Sequence, residues 1–247
     1  REIFSKSFFE AQMEVVIEER VPVYAAGLGN PGPWIERLHA HGTLVIAVVG
    51  AVRHALKVRD SGVDIIVAQG HDAGGHNSPI GTMALLPQVV DAAGGLPVLG
   101  AGGIGDGRGV AAALMLGAAG VWVGTAFLGT VEANLLDYQK QALVDSSEEG
   151  TVVSRCMTGK PARLIRSHWT RAWEEGDLEP LPMPFQSIVS APVMQAAYAH
   201  PERGRDLVPG FAGQGLGMIH EIRRAADVLQ DLVQGAEKAL SDASSLL

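Results

Sequence analysis

The chain has 247 residues, 47% of them hydrophobic, with a formal net charge of −8, which suits one α/β barrel domain with a large core. An acidic chain without a basic run argues against nucleic acid or an anionic membrane as partner, and no stretch approaches the ~20 apolar residues of a membrane span. The single cysteine, Cys156, excludes an internal disulfide and fits a reducing cytoplasm.

The chain opens Arg1-Glu2-Ile3, without an initiator Met or a signal peptide, and enters an amphipathic segment almost at once, which reads as a truncated start. Phe9, Met13, Val16 and Ile17 share one face at helical spacing. Apolar runs follow at 21–26, 44–49, 63–68, 97–101 and 120–124. They do not alternate polar and apolar, so they predict strands buried on both faces, as in a parallel sheet covered by helices. Helical patterns separate them. Asn30 can cap one that carries Trp34, Ile35 and Leu38, and Gly42, Gly62 and Gly117 each stop a helix just before the next run. Strand starts lie 23, 19, 34 and 23 residues apart, a repeat that predicts βαβ units.

Residues 128–144 read as helix. Residues 145–205 are richer in charge, Pro and Trp and read as a helical lid or substrate domain. The glycine-rich stretch 210–217 and an amphipathic helix over about 218–240 close the chain. The expected fold is an α/β (β/α)8 TIM barrel with its last five βα units present and a small helical domain after the last strand. Its parts are a barrel portion at 1–130, a lid at 131–205 and a segment at 206–247 that returns to the barrel. Three further units would need roughly 90 residues. An open doubly wound sheet is the alternative.

Leu99-Gly100-Ala101-Gly102-Gly103-Ile104-Gly105 carries a strand into a glycine turn and then a helix. Glycines leave backbone N–H groups bare for a phosphate, and the helix start adds its positive dipole end. One unit later, Trp122-Val123-Gly124-Thr125 ends a strand with further donors. Two adjacent strands ending in phosphate donors match a barrel phosphate site. Gly100, Gly102 and Gly105 also satisfy the dinucleotide fingerprint, but the next strand ends without the acidic residue that fingerprint needs.

Gln69-Gly70-His71-Asp72-Ala73-Gly74-Gly75-His76 follows the third run, at a strand C-terminus, where barrel catalytic groups sit. His76 is a candidate general base. Gln69 can read a flat heterocycle's polar edge. His71 and Asp72 also admit a metal reading, but His-Asp-x-x-x-His is not a standard zinc spacing and no third ligand is evident, so no metal is expected.

These two segments, with Pro87-Gln88-Val89-Val90, Val123-Gly124-Thr125-Ala126-Phe127-Leu128, Thr158-Gly159-Lys160-Pro161-Ala162-Arg163 and Ala212-Gly213-Gln214, resemble the nitronate monooxygenase family, also called 2-nitropropane dioxygenases. The resemblance implies an FMN-binding TIM barrel with the cofactor at the strand C-termini. Gln69, Gly74 and Gly75 would contact FMN. Gly102, Gly103, Trp122, Val123, Gly124 and Thr125 would hold its phosphate, and His76 would be the catalytic residue. Trp122 stands where many relatives carry a polar residue, but its backbone can still serve. The implied reaction is oxidation of an alkyl nitronate by O2 to a carbonyl compound and nitrite. The flavin-dependent enoyl-thioester reductases, which use NAD(P)H, share the same loop and turn and supply the alternative; an inert fragment is the third. The family's N-terminal units carry further flavin contacts, and by position the five runs correspond to its last five strands.

Overall fold

The computed structural model describes residues 5–208 and 210–245; Arg1-Glu2-Ile3, on which the truncated-start reading rests, lies outside them. In chain order the elements are α1 (Lys6–Glu18), β1 (Val23–Ala26), α2 (Gly32–Ala40), β2 (Leu44–Val49), α3 (Val52–Asp60), β3 (Ile65–Gln69), β4 (Gly75–His76), α4 (Thr82–Ala92), β5 (Val98–Ala101), α5 (Gly107–Met115) and β6 (Gly120–Trp122). They continue with α6 (Thr125–Leu128), α7 (Asp137–Val144), β7 (Thr151–Ser154), β8 (Ala162–Ile165), α8 (His168–Glu175), α9 (Phe185–Ala199), α10 (Pro201–Gly204), a 3-10 turn (Gln214–Met218) and α11 (Ala225–Ser244).

The main sheet has the order β1-β2-β3-β5-β6, and every neighbouring pair is parallel. The order never reverses, as it would at the switch point of a doubly wound sheet. The strands therefore form a continuous arc of a (β/α) barrel, with all their C-termini at one rim. Gly42, Gly62 and Gly117 have φ of +79°, +94° and +92°, the left-handed conformation that lets a chain leave a helix and turn into a strand. The buried side chains of α1, α2, α3 and α4, among them Met13, Leu38, Val58 and Leu85, pack on β2, β3 and β5 in one continuous core.

Two helices differ from the periodicity. Residues 128–144 hold only the end of α6 and then α7, because Gly129 packs on Ile219 and Thr130 bridges to Arg223. The last helix starts at Ala225 rather than near 218, because the segment before it makes the 3-10 turn and that bridge. Within residues 131–205, β7 and β8 form an antiparallel hairpin that adds to the helices expected there, and β8 pairs with β4.

α11 packs along α5 at one close approach. A Cβ on Gly107 would run into the backbone of Gly235 and Ala236, and a Cβ on Gly235 would lie 3.2 Å from the Gly107 Cα. Gly107→Val should therefore destabilise the protein by at least the ~1–3 kcal/mol of overpacking, read as a lower denaturation midpoint. An unchanged midpoint would show that α11 does not need this contact.

Candidate functional site

The rim holds the groups picked out from the sequence. Asp106 caps α5 by accepting from the N–H groups of Arg108 (2.9 Å) and Gly109 (3.2 Å), so the preceding turn is rigidly joined to the helix. Gly102 and Gly103 have φ of +102° and +72°. A Cβ on Gly102 would lie 2.9 Å from the Ala73 nitrogen, so this turn and the histidine loop meet backbone to backbone.

The Gly102-Gly103-Ile104 turn and the Trp122–Thr125 segment line one cavity of about 210 Å³, together with Gln69, Gly74, Gly75, Phe211 and Gly215. Among the described residues, the N–H groups of Gly103, Ile104, Gly124 and Thr125 have no hydrogen-bond acceptor. Gly124 has nothing within 4 Å of where a Cβ would stand. Unpartnered donors around a glycine-lined cavity make a cradle for an anion. Thr125 Oγ accepts from the Gly213 N–H at 2.9 Å, which leaves its own hydrogen free to donate.

The stretch after residue 209 forms another wall. A Cβ on Gly74 would lie 2.7 Å from the Ala212 carbonyl carbon, and the Gln214 N–H donates to the Asp72 carbonyl at 2.8 Å. The glycines at 74 and 213 permit this close contact.

The histidine loop is held from several sides. The Asp72 carboxylate accepts from the Thr82 N–H at 2.7 Å, at the start of α4. Burial alone would raise its pKa, but the Thr82 hydrogen bonds and nearby His71 hold it below the ordinary carboxylate range. His71 Nδ1 lies 2.9 Å from the Ser78 carbonyl. The Gln69 amide donates to the His76 carbonyl at 2.6 Å, which commits one of the donors expected to read a ligand.

Arg163 is a residue to which no role was given from sequence. It is only 5% exposed, and it donates to the His71 carbonyl through Nε (3.2 Å) and Nη2 (3.0 Å) and to Thr151 Oγ through Nη1 (3.1 Å). An arginine within the apolar run Ala162-Arg163-Leu164-Ile165 was its available signal, since a charge so placed must be paired. Asn77 also donates to the His71 carbonyl, at 2.9 Å.

His76 sits on β4 opposite Ala162, half-buried, with Nε2 2.8 Å from Thr158 Oγ. Burial, and then the positive charge of Lys160, push its pKa below the ordinary imidazole value. The site thus joins a set of unpartnered N–H donors, a glycine-rich loop and a half-buried imidazole at one rim.

Similarity to known proteins agrees. Residues 2–235 match the nitronate monooxygenase family. A Mycobacterium tuberculosis protein described as a monooxygenase is 43% identical over 232 residues, covering 92% of this chain and 62% of that protein. A second from the same organism, a hydroxy-methyl-oxo-octahydroindene-carboxyl-CoA dehydrogenase, is 41% identical over 167 residues, covering 67% of this chain and 47% of that protein. The chain thus spans about half to three-fifths of the length of these relatives. FabK from Thermotoga maritima superposes with a TM-score of 0.86 at 32% identity, covering 99% of this chain and 77% of that one. A nitroalkane oxidase from Streptomyces ansochromogenes superposes with a TM-score of 0.83 at 32% identity, covering 95% and 70%. The chain belongs to the nitronate monooxygenase family and has its TIM-barrel fold.

Proposed function

We propose that this chain forms the cofactor-phosphate and proton-transfer side of an FMN-dependent oxidase that converts alkyl nitronates, with O2, to a carbonyl compound and nitrite. The observation that carries this reading is the set of unpartnered N–H groups on Gly103, Ile104, Gly124 and Thr125 around one cavity beside the His76 loop. The fit to a phosphate is good: four neutral donors and a free hydroxyl hydrogen suit a dianion, and the glycines leave it room. When bound, the flavin supplies two-electron oxidation with O2 as final acceptor. Gln69, Gly74 and Gly75 would border its ring. His76 takes the α-proton of a neutral nitroalkane, which generates the nitronate, and its imidazolium then stabilises the anionic nitro group. The pairing of β8 with β4 brings the β7–β8 connection, with Thr158, against the histidine. The test is nitrite release and O2 uptake by the full-length protein reconstituted with FMN and given a nitronate under air. Neither product from a flavin-loaded protein would sink the proposal.

A second reading, in which NAD(P)H reduces the flavin and an enoyl thioester is the oxidant, is favoured by two facts. The chain is as identical to FabK as to the nitroalkane oxidase, and a relative carries a CoA thioester in its name. NAD(P)H consumption dependent on an enoyl-CoA would establish it.

The pKa of His76 sets an expectation for pH. A depressed pKa keeps the ring neutral to lower pH, so the acid limb of kcat/KM for a neutral nitroalkane should fall below the ~6.5 of a free imidazole. Lys160→Met removes one cause of the shift and should move that limb upward. A limb that stays still in Lys160→Met would mean that another group titrates.

A further inference from the structure

We propose that Thr158 is a positioning residue that sets the tautomer of His76 and makes Nδ1 the atom that takes the proton; this rests on the base reading above. Thr158 lies on the connection between β7 and β8, 82 residues from His76 in the chain, and the β4–β8 pairing brings the two together. Its hydroxyl has three contacts. Oγ is 2.8 Å from His76 Nε2, accepts from the Lys160 N–H at 3.3 Å, and is 3.4 Å from the Lys160 carbonyl.

A hydroxyl has one hydrogen and two lone pairs. If the hydrogen points at the Lys160 carbonyl, both lone pairs are filled, by the Lys160 N–H and by a His76 Nε2–H, and the long 3.4 Å contact to the carbonyl also has a donor. If the hydrogen points at Nε2, one lone pair is empty and the carbonyl loses its donor. The count of satisfied groups therefore favours the Nε2–H tautomer, whose lone pair is on Nδ1. Among the described residues no group bonds to His76 Nδ1, so its lone pair is not committed within the chain. The backbone that carries the ring is fixed by the Gln69 amide on the His76 carbonyl. Lys160 is the charged group beside the ring. The other nearby charges are committed elsewhere, Arg163 to the His71 carbonyl and Asp72 to the start of α4.

The experiment is 15N NMR of the ring nitrogens in histidine-labelled full-length protein, with the His76 signals assigned by their loss in His76→Asn. The wild-type neutral ring should show a protonated Nε2 and a bare Nδ1. Thr158→Val keeps the shape and removes the oxygen, so it should give a mixture of tautomers, while Thr158→Ser should restore the wild-type pattern. The cation donates to an accepting oxygen more strongly than the neutral ring does, so Thr158→Val should also lower the His76 pKa. A wild-type ring protonated on Nδ1 would overturn the proposal without any variant. So would an unchanged tautomer, or a raised pKa, in folded Thr158→Val. These signals need no turnover, so they are independent of whether nitroalkanes are substrates. Failure of the nitrite assay with the predicted ring state intact would reject the oxidase reading and leave the role of Thr158 standing.

Discussion

His76→Asn in the full-length protein should slow oxidation of a neutral nitroalkane by ~10²–10⁴-fold in kcat/KM, the usual contribution of a general base, while retaining flavin. Asn has no basic nitrogen, so proton abstraction falls to water. The preformed nitronate has already lost that proton, and its oxidation should suffer far less. The contrast between the two substrates separates base catalysis from electrostatic positioning, and kcat/KM is the right measure because it refers the transition state to free enzyme and substrate. Equal losses with both would assign His76 to holding the nitro group. No loss with either would return it to a hydrogen-bonded loop residue held by Thr158.

The second large effect is expected at Gly124. Gly103 is the more obvious phosphate glycine, but its φ of +72° and the 3.1 Å approach of a Cβ to Asp72 mean that a side chain there strains the backbone itself. Loss of cofactor after that change would be ambiguous. Gly124 has φ of −115°, which any residue adopts, and open space where a Cβ would stand. Gly124→Val should therefore leave the fold intact and put a side chain where the anion would bind. Each hydrogen bond to a charged group contributes ~1.5–3 kcal/mol, so losing two weakens FMN by at least about a hundredfold. The measurement is flavin fluorescence titration of apoprotein, with circular dichroism to check folding. Unchanged affinity in a folded Gly124→Val would place the phosphate elsewhere.

The order of the parallel strands was legible because burial on both faces leaves an unbroken apolar run, and because Gly42, Gly62 and Gly117, each with positive φ, mark the exits from α2, α3 and α5. The glycine turn at Gly102-Gly103 was legible for a related reason. Gly102 and Gly103 have no side chain because one there would strike Ala73 or Asp72. The helix over 128–144 was over-read, since its break comes from Ile219 packing on Gly129 and from the Thr130–Arg223 bridge, which local periodicity does not record.

What the sequence determined by itself was therefore local: the βα repeat, the glycine turns and the candidate status of His76. The environment of that histidine was decided only by tertiary structure. Arg163 reaches the His71 carbonyl across 92 residues, Thr125 meets Gly213 across 88, and Thr158 meets His76 across 82. Periods of 2 and 3.6 residues report which face of an element is buried. They carry no signal about which distant loop closes over a rim. That choice belongs to the antiparallel pairing of β8 with β4, and to the requirement that a buried guanidinium find acceptors.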